Sequence, residues 1–367
     1  MNSIKRLVIP LAAASILPSG ILAEGLERVN IDPSFMFESG SYAEVSYGSS
    51  SPSIPAAVTG LGTIDNVAET VTATTFAVKT AIGDKIDFGL WSTSNGNGVN
   101  LDWGNAIGIT ADLSMPTMAA MVRYRLSDSM SIIGGLKRVS IDNGSSVSLP
   151  ITAAGITTGT WTLSSASATT SVYGIVNEIP SIAMRMTVLM EGAAALDIDT
   201  NYSQTVGGVT TAYTGVAKAS VGDATTISLQ TGIAPNTLLF GSLKLSNWKD
   251  DQVQIPLSGT AARATISTFE DGQSYTIGLG RKFSDNLSGS ASYFRDPASD
   301  CDSVSALSPK CETSSISLGA KYSINDRATL SLGTTWTQYG DATVGAPAAT
   351  TTSSNQTSYG FKLGFKF

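Results

Sequence analysis

The clearest pattern in this chain is a strict alternation of two residue types at its C-terminal end. One set is aromatic or leucine and the other is glycine or lysine: Tyr359, Phe361, Leu363, Phe365 and Phe367 alternate with Gly360, Lys362, Gly364 and Lys366. Because successive side chains of a β-strand point to opposite faces, the pattern predicts a strand with one apolar and one polar face. Similar runs recur upstream, and their charged residues fall on the polar face, except for Arg281 at a strand end.

Such runs divide the chain into about fourteen predicted strands. They lie near residues 41–50, 70–81, 84–93, 116–127, 129–141, 166–178, 181–192, 222–231, 236–248, 271–283, 286–296, 312–323, 327–340 and 356–367. Most are about 10–13 residues long, the length that a tilted strand needs to cross a bilayer. An even number is typical of single-chain bacterial barrels. The sequence therefore predicts an all-β fold, a fourteen-stranded antiparallel transmembrane β-barrel.

The connections between the predicted strands alternate in length. Short turns rich in Asp, Asn, Pro and Gly are predicted at 83–84, 127–128, 179–180, 234–236, 284–286 and 324–326. Long loops fall near 51–69, 94–115, 142–165, 193–221, 249–270, 297–311 and 341–355. Short periplasmic turns and long extracellular loops are typical of outer-membrane barrels. The loops are mostly Ser, Thr, Ala and Gly, and their apolar anchors are mainly residues 255–257, Leu61 and Ile64.

The first residues predict an export signal. A basic pair at 5–6 precedes an apolar stretch at 7–22, which is typical of a cleaved signal peptide at 1–23. Residues 24–40 then form a short N-terminal plug or tail before a barrel at 41–367, located in the cell outer membrane. No later run approaches the ~18 consecutive apolar residues of a transmembrane helix. The aromatic C-terminal residue resembles the signal read by the barrel-assembly machinery, which is an expected partner during biogenesis.

The composition narrows the class of partner. Hydrophobic residues make up 42% of the chain and charged residues only 14%, against about 25% charged residues in ordinary soluble domains. Of the 22 basic residues, 20 remain without Lys5 and Arg6, against 29 acidic ones, so the predicted mature chain carries a net charge of −9. Nucleic acid is not an expected partner, because phosphate binding requires a basic face. The expected partners are outer-membrane lipids and a hydrophobic small-molecule substrate.

Catalysis is not expected. The chain has no histidine, so neither a Ser–His nor an Asp–His arrangement can form, and the commonest ligand of zinc is missing. We therefore predict no enzyme activity, no metal and no cofactor. Cys301 and Cys311 lie close together in an exported chain, where an oxidising compartment favours a structural disulfide. A metal pair is the functional alternative for these two cysteines.

Cations on the polar faces are the candidate ligand-binding residues. Arg123, Arg125, Arg185 and Lys244 are predicted to face the lumen, and a guanidinium binds a carboxylate with two hydrogen bonds. In one interpretation, one or two of them, with Arg123 and Arg125 first, capture the carboxylate of a fatty acid. In the other, the lumen cations only pair with lumen carboxylates such as Glu44 and Asp87.

Several stretches also resemble the FadL-type outer-membrane transporters. They read GLER at 25–28, FESGSYAEVSYG at 37–48, MVRYRLSD at 121–128, GGLK at 134–137 and QTGIAPNTLLFG at 230–241, followed by Trp248. The resemblance extends from about Gly25 to Phe367 and implies a fourteen-stranded barrel that imports long-chain fatty acids or other hydrophobic compounds. Family members typically begin with a plug of roughly forty residues carrying an Asn-Pro-Ala motif. Residues 30–33 of this chain match that motif poorly, which predicts a shortened plug.

Three functions are therefore compatible with the sequence. The first is passive transport of hydrophobic compounds, most simply long-chain fatty acids, by a monomeric barrel. The second is a general or weakly selective porin, for which an open and charged constriction is the distinguishing feature. The third is a surface or adhesive protein in which the loops act and the barrel is an anchor.

Overall fold

The computed structural model describes residues 25–151, 154–258, 262–297 and 300–367. The predicted signal peptide at 1–23 lies outside these residues. In the part of the chain that the structure describes, no helix is both long and apolar enough to span a membrane. Short 3-10 helices lie at Pro33–Phe37 and Pro180–Ile182.

Fourteen of the described strands form one ring, in which every neighbouring pair is antiparallel. In chain order they are β1 Tyr42–Ser53, β2 Val71–Ile82, β3 Ile86–Asp102, β4 Thr110–Arg125, β5 Met130–Ile141, β6 Ala166–Ile179, β7 Met184–Glu191, β8 Ala224–Ala234, β9 Thr237–Ser246, β10 Gly272–Lys282, β11 Leu287–Asp296, β12 Thr313–Ser323, β13 Ala328–Tyr339 and β14 Asn355–Lys366. The ring closes where β14 pairs with β1, from Tyr42 opposite Lys366 to Ser53 opposite Asn355. The predicted fourteen-stranded antiparallel barrel is confirmed.

The outer face of the ring follows the alternation read from the sequence. Ile316, Leu318 and Tyr322 of β12 are exposed, as are Tyr359 and Phe361 of β14. Their sequence neighbours point into the lumen, where Ser315 and Ser358 are buried. A continuous apolar outer surface of this kind is what a barrel presents to lipid.

The connections lie at two ends of different character. At the short-turn end, β2 and β3 are joined by 83–85 and β12 and β13 by 324–327. At the loop end, most connections carry strands of their own. They are Ala56–Val58, Gly62–Ile64, Ser146–Ile151, Ile156–Leu163, Ala194–Val206, Val209–Val221, Gln254–Pro256, Arg263–Thr265, Ala342–Val344 and Ala349–Thr351.

The predicted long connections at 94–115 and 193–221 lie at the loop end, but most of their residues form paired strands rather than irregular loops. β3 and β4 continue as a paired hairpin beyond the wall, and only residues 103–109 connect them. The register of this hairpin shifts between Thr93 and Asn97, which marks a bulge. Residues 92–98 read STSNGNG, so the strand passes through them without apolar side chains, and the alternation that signals a strand is lost there.

The loops are also more apolar inside than their composition suggests. Trp103, Trp248 and Phe269 are buried in one hydrophobic cluster at the loop end, whereas Leu61, an expected anchor, is exposed. A four-stranded sheet joins the first and last loops by pairing Ala56–Val58 with Ala349–Thr351. The loops therefore form a packed roof over the barrel.

The roof contains the two cysteines. A disulfide joins Cys301 to Cys311 within the connection between β11 and β12, and the two Cα atoms lie 5.3 Å apart. The indole Nε1 of Trp103 donates a hydrogen bond to the carbonyl oxygen of Ala306 at 3.2 Å. The hairpin of β3 and β4 is therefore tied to the loop that the disulfide closes.

Candidate functional site

The N-terminal segment, residues 25–40, lies inside the barrel. Gly25 packs so closely on the indole of Trp248 in the roof that a Cβ at this position would collide with the ring. At the other end of the segment, the Glu38 carboxylate forms an ion pair with Lys366 Nζ at 2.9 Å, and Lys366 is the last residue of β14. The segment therefore runs through the lumen from the loop end to the short-turn end.

A short 3-10 helix shapes the middle of this segment. Asp32 precedes Pro33 and accepts a hydrogen bond from the backbone N–H of Ser34 at 2.9 Å. Aspartate is a preferred N-cap residue, and proline at the first helical position loses no needed hydrogen bond. The turn presents Phe35 and Met36 to the wall, where both are fully buried.

The wall that receives these side chains is apolar. A Cβ at Gly89 of β3 would collide with Met36 Sδ, so the missing side chain makes room for the segment. Phe35 and Met36 belong to one buried cluster with inward side chains of β2 to β7, namely Ala77, Trp91, Ala119, Met121, Ile133, Val172, Val176 and Leu189. We call this part of the lumen, formed by β2–β7, the apolar half.

Backbone pairing holds the segment at the bulge of β3. The N–H groups of Arg28 and Val29 donate to the carbonyl oxygen of Gly96 at 2.9 and 3.0 Å, and the N–H of Gly98 donates to Leu26 at 2.7 Å. The Arg28 guanidinium donates to the side-chain oxygens of Asn95 and Asn100, both at 2.8 Å. Burial lowers the pKa of Arg28 to about 10, partly opposed by Asp112. Arg28 therefore stays protonated at neutral pH.

A cavity of about 360 Å³ remains beside the segment. On one side it is lined by the segment, with the apolar residues Val29, Ile31, Pro33, Phe35 and Phe37 and the polar residues Asn30, Asp32, Ser34 and Glu38. On the other side are the inward faces of β8–β14, which we call the hydroxyl half. Its lining is mostly serine and threonine: Thr226, Ser228, Ser242, Ser274, Thr276, Ser292, Thr313, Ser315, Ser317, Thr329, Ser331, Thr335, Thr337 and Ser358.

Two of the four predicted binding cations line this cavity, Arg185 and Lys244. Arg185 Nε donates to Glu178 Oε1 at 3.0 Å, and its guanidinium carbon lies 4.0 Å from the centre of the Phe37 ring. Lys244 Nζ forms an ion pair with Glu27 and a hydrogen bond with Asn30, both on the N-terminal segment. Both cations therefore anchor the segment while facing the cavity.

Arg123 and Arg125 are not among the described residues that line the cavity. Arg123 forms an ion pair with Glu178 and donates through Nε to Ser131 Oγ at 2.8 Å. Arg125 Nη2 lies 2.5 Å from Asp87 Oδ2. The structure thus places these two arginines in the ion-pair network of the lumen, as the second sequence interpretation holds for lumen cations.

Two other lysines line the cavity, Lys321 and Lys362. Lys362 pairs with Glu44 at 3.3 Å. No carboxylate oxygen of the described residues lies within ion-pair distance of Lys321, unlike the other three lining cations. Its cross-strand neighbours are Ser288 and Ser331, which carry no charge. The alternation of β12 places Lys321 on the polar, lumen-facing phase, but nothing in the sequence distinguishes it from the other lumen cations, because its uncharged neighbours lie on other strands.

No protein-family model matches the sequence, and no curated protein matches it. Among solved structures, the chain is similar to a Pseudomonas aeruginosa FadL homologue, with 12% identity, a TM-score of 0.76, and 97% of this chain and 96% of the other covered. It is also similar to the Pseudomonas putida toluene transporter TodX, with 12% identity, a TM-score of 0.71 and coverages of 97% and 98%. The Ralstonia pickettii toluene transporter TbuX gives 11% identity, a TM-score of 0.67 and coverages of 96% and 95%.

These likenesses extend over nearly the whole of each chain. They match a barrel whose strands, register and closure were described above from its own residues. The chain therefore has the fold of the FadL-type outer-membrane transporters, as its resemblance to them implied.

Proposed function

We propose that this chain is a passive route for hydrophobic compounds across the bacterial outer membrane, with long-chain fatty acids as the first candidate substrates. The observation that carries the proposal is the cavity between the N-terminal segment and the hydroxyl half, where aliphatic and aromatic side chains stand beside cations. Sites for small molecules combine an apolar lining with a few placed polar groups. The structural neighbours, a FadL homologue and two toluene transporters, support the same class of cargo.

The orientation follows from the unequal ends of the barrel. Short turns face the periplasm in outer-membrane barrels and long loops face outward, so the roof is extracellular in this proposal. A compound then meets the roof first and leaves towards the periplasm or the bilayer. Within the cavity, Lys321 lies near the short-turn end of β12. It is positioned to take a substrate carboxylate without displacing an existing ion pair.

The porin alternative differs in one measurable property. The N-terminal segment occupies the lumen from the roof to the short-turn end, which leaves little room for an open aqueous pore. We expect the purified chain to be silent, or nearly so, in a planar bilayer. A steady large conductance would favour the porin.

The direct test is uptake by a Gram-negative host that lacks porins and its own importers of lipophiles. Radiolabelled palmitate and toluene are supplied to cells that make either this chain or an unrelated outer-membrane barrel at matched levels. We expect both compounds to enter faster with this chain. Equal entry in the two strains would contradict the proposal. Binding of cells to a surface through this chain, without entry of either compound, would favour the adhesive alternative.

A further inference from the structure

The cavity has two chemically different walls that face each other. The N-terminal segment packs against β2–β7 through Phe35 and Met36, and β8–β14 complete the ring on the other side. A molecule in the cavity therefore touches the segment with one face and the hydroxyl half with the opposite face. The question is which kind of molecule satisfies both walls at once.

The segment wall is the more apolar of the two. Its lining residues include Val29, Ile31, Pro33, Phe35 and Phe37, with the polar residues Asn30, Asp32, Ser34 and Glu38 between or beside them. Hydrocarbon placed against the apolar side chains leaves water, and each Å² of apolar surface removed from water is favourable. This wall therefore favours a ligand with a hydrocarbon face.

The opposite wall is dominated by hydroxyl groups, although Phe240, Phe294 and Tyr339 also line it. Two pairs of these hydroxyls contact each other across β12 and β13. The hydroxyl oxygens of Ser315 and Thr337 lie 2.8 Å apart, and those of Ser317 and Thr335 lie 2.7 Å apart. A hydroxyl has one donor and two acceptor sites, so each pair keeps free hydrogen-bonding capacity after its mutual bond. A plain alkyl chain pressed against this wall would displace water without replacing its hydrogen bonds, which is unfavourable.

The cavity is also long enough for an extended ligand. Thr329 and Tyr339 of β13 both line it, and ten residue steps along a strand span about 33 Å. Its volume of about 360 Å³ lies within the range of small-molecule sites, about 300–1,000 Å³. Length and volume together indicate an elongated space, and the choice of ligand depends on the chemistry of its walls.

We propose that the preferred cargo of this cavity is a rigid facial amphiphile, a fused-ring compound with hydroxyl groups on one face and hydrocarbon on the other. The inference rests on the proposed function, because it assigns the cargo of the same passage. Such a compound replaces water at the hydroxyl wall while its other face covers Phe37 and Ile31. A rigid ring system also loses less conformational freedom on binding than a straight chain does.

The test compares three radiolabelled probes in the porin-deficient host, each below its micelle concentration. Cholate carries three hydroxyls on one face, 5β-cholanate has the same skeleton without them, and palmitate is a straight chain. The test variant is S315A/S317A/T335V/T337V, which removes both hydroxyl pairs with little change in side-chain volume. The control variant is S314A/T334V, at neighbouring positions of β12 and β13 that do not line the cavity.

We expect cholate to enter faster than 5β-cholanate in the wild type and in the control variant. In the test variant this advantage falls about tenfold, which corresponds to the loss of one or two hydrogen bonds, while 5β-cholanate entry is unchanged. An undiminished cholate advantage in the test variant would overturn the facial-amphiphile assignment. If that variant fails to fold, as judged by its heat-modifiable migration, the wild-type ratio of cholate to 5β-cholanate decides, and a ratio of one overturns the assignment.

Palmitate separates this inference from the function on which it rests. Entry of palmitate without cholate would overturn the facial-amphiphile assignment and leave the passage of lipophiles intact. Entry of none of the three probes would overturn the facial-amphiphile assignment, and the passage of lipophiles would be overturned as well if toluene also failed to enter.

Discussion

The apolar half and the hydroxyl half of the lumen belong to one wall but have different inner surfaces. In the apolar half, Trp91, Met121 and Val172 point inward and pack against the N-terminal segment. In the hydroxyl half, Ser315, Ser331 and other small hydroxyl side chains point inward, and a cavity remains. The outer faces of both halves are alike, since Val122 of β4 and Leu318 of β12 are both exposed towards the lipid side.

The difference shows what determines whether a barrel lumen is filled by its own chain. Outward residues contact the bilayer and are apolar in both halves, so they do not distinguish the two halves. Inward residues contact whatever occupies the lumen, and their polarity matches it. Where they are apolar they bury protein, and where they carry hydroxyls they are suited to water or a ligand.

Removing residues 25–37 should produce the largest effect on this comparison. The apolar half would then face water, and burial of a Phe or Met side chain contributes about 1.5–3 kcal/mol. We expect the free energy of unfolding to fall by several kcal/mol, read from the temperature at which heat-modifiable migration is lost. In a planar bilayer, we expect a silent barrel to become a steady conductor.

That deletion also tests the division into halves. A deleted chain that stays silent would mean that the roof, rather than the segment, closes the lumen. A deleted chain that melts at the wild-type temperature would mean that the contacts of Phe35 and Met36 contribute little to stability.

A substitution at a single glycine of the apolar half, Gly89, should have a smaller effect on stability. In G89V the new side chain would collide with Met36 and Phe35, and overpacking of this kind typically costs about 1–3 kcal/mol. The matched control is G134V in β5, where nothing lies within 4 Å of the added Cβ. We expect G89V to melt at a lower temperature and G134V to melt like the wild type. Equal melting of the two variants would contradict the close fit of the segment at Gly89.

Most of the barrel could be predicted from the sequence because lipid imposes a simple rule on every second residue. The run at Ile316, Leu318 and Tyr322 required only that rule, and these residues are exposed as predicted. The rule fails where its signal is absent. The STSNGNG stretch at the bulge of β3 carries no apolar side chain, so the sequence predicts a loop where the structure has a hairpin.

The hydrophobic core of the roof could not be predicted from the sequence for a different reason. Its core is assembled from single residues of distant loops, such as Trp103, Trp248 and Phe269. No short window of the sequence contains enough of them to reveal a periodic pattern. Composition alone therefore suggested polar loops where the fold builds a hydrophobic cluster.

The lumen was predictable in part. Around 117–122 the sequence reads TMAAMV, in which both faces of β4 are largely apolar, and this was a usable sign that protein fills that side. The partners of the cations depended on register instead. Glu178 lies directly opposite Arg185 and pairs with it, but Asp87 lies opposite Arg123 and pairs with Lys79 and Arg125 instead. The sequence therefore predicts that lumen cations can pair with lumen carboxylates, but not which partners they take.

One cation from each half, Lys321 and Arg125, can be used to test which half binds the carboxylate of the substrate. Arg125 already holds Asp87 at 2.5 Å, whereas Lys321 lines the cavity with no carboxylate oxygen of the described residues within ion-pair distance. In K321Q we expect palmitate uptake to fall about three- to tenfold, because a hydrogen bond to a charged group is lost in a partly wet site. In R125Q, we expect uptake close to that of the wild type.

Toluene supplies the internal control for both variants, because it has no carboxylate to lose. Its entry should be the same in K321Q, R125Q and the wild type, measured in the same porin-deficient host. A fall in toluene entry would show that a substitution damages the passage itself. If R125Q lost palmitate uptake and K321Q kept it, the carboxylate would lie in the apolar half, in agreement with the choice of Arg125 from the sequence and against the geometry of the cavity.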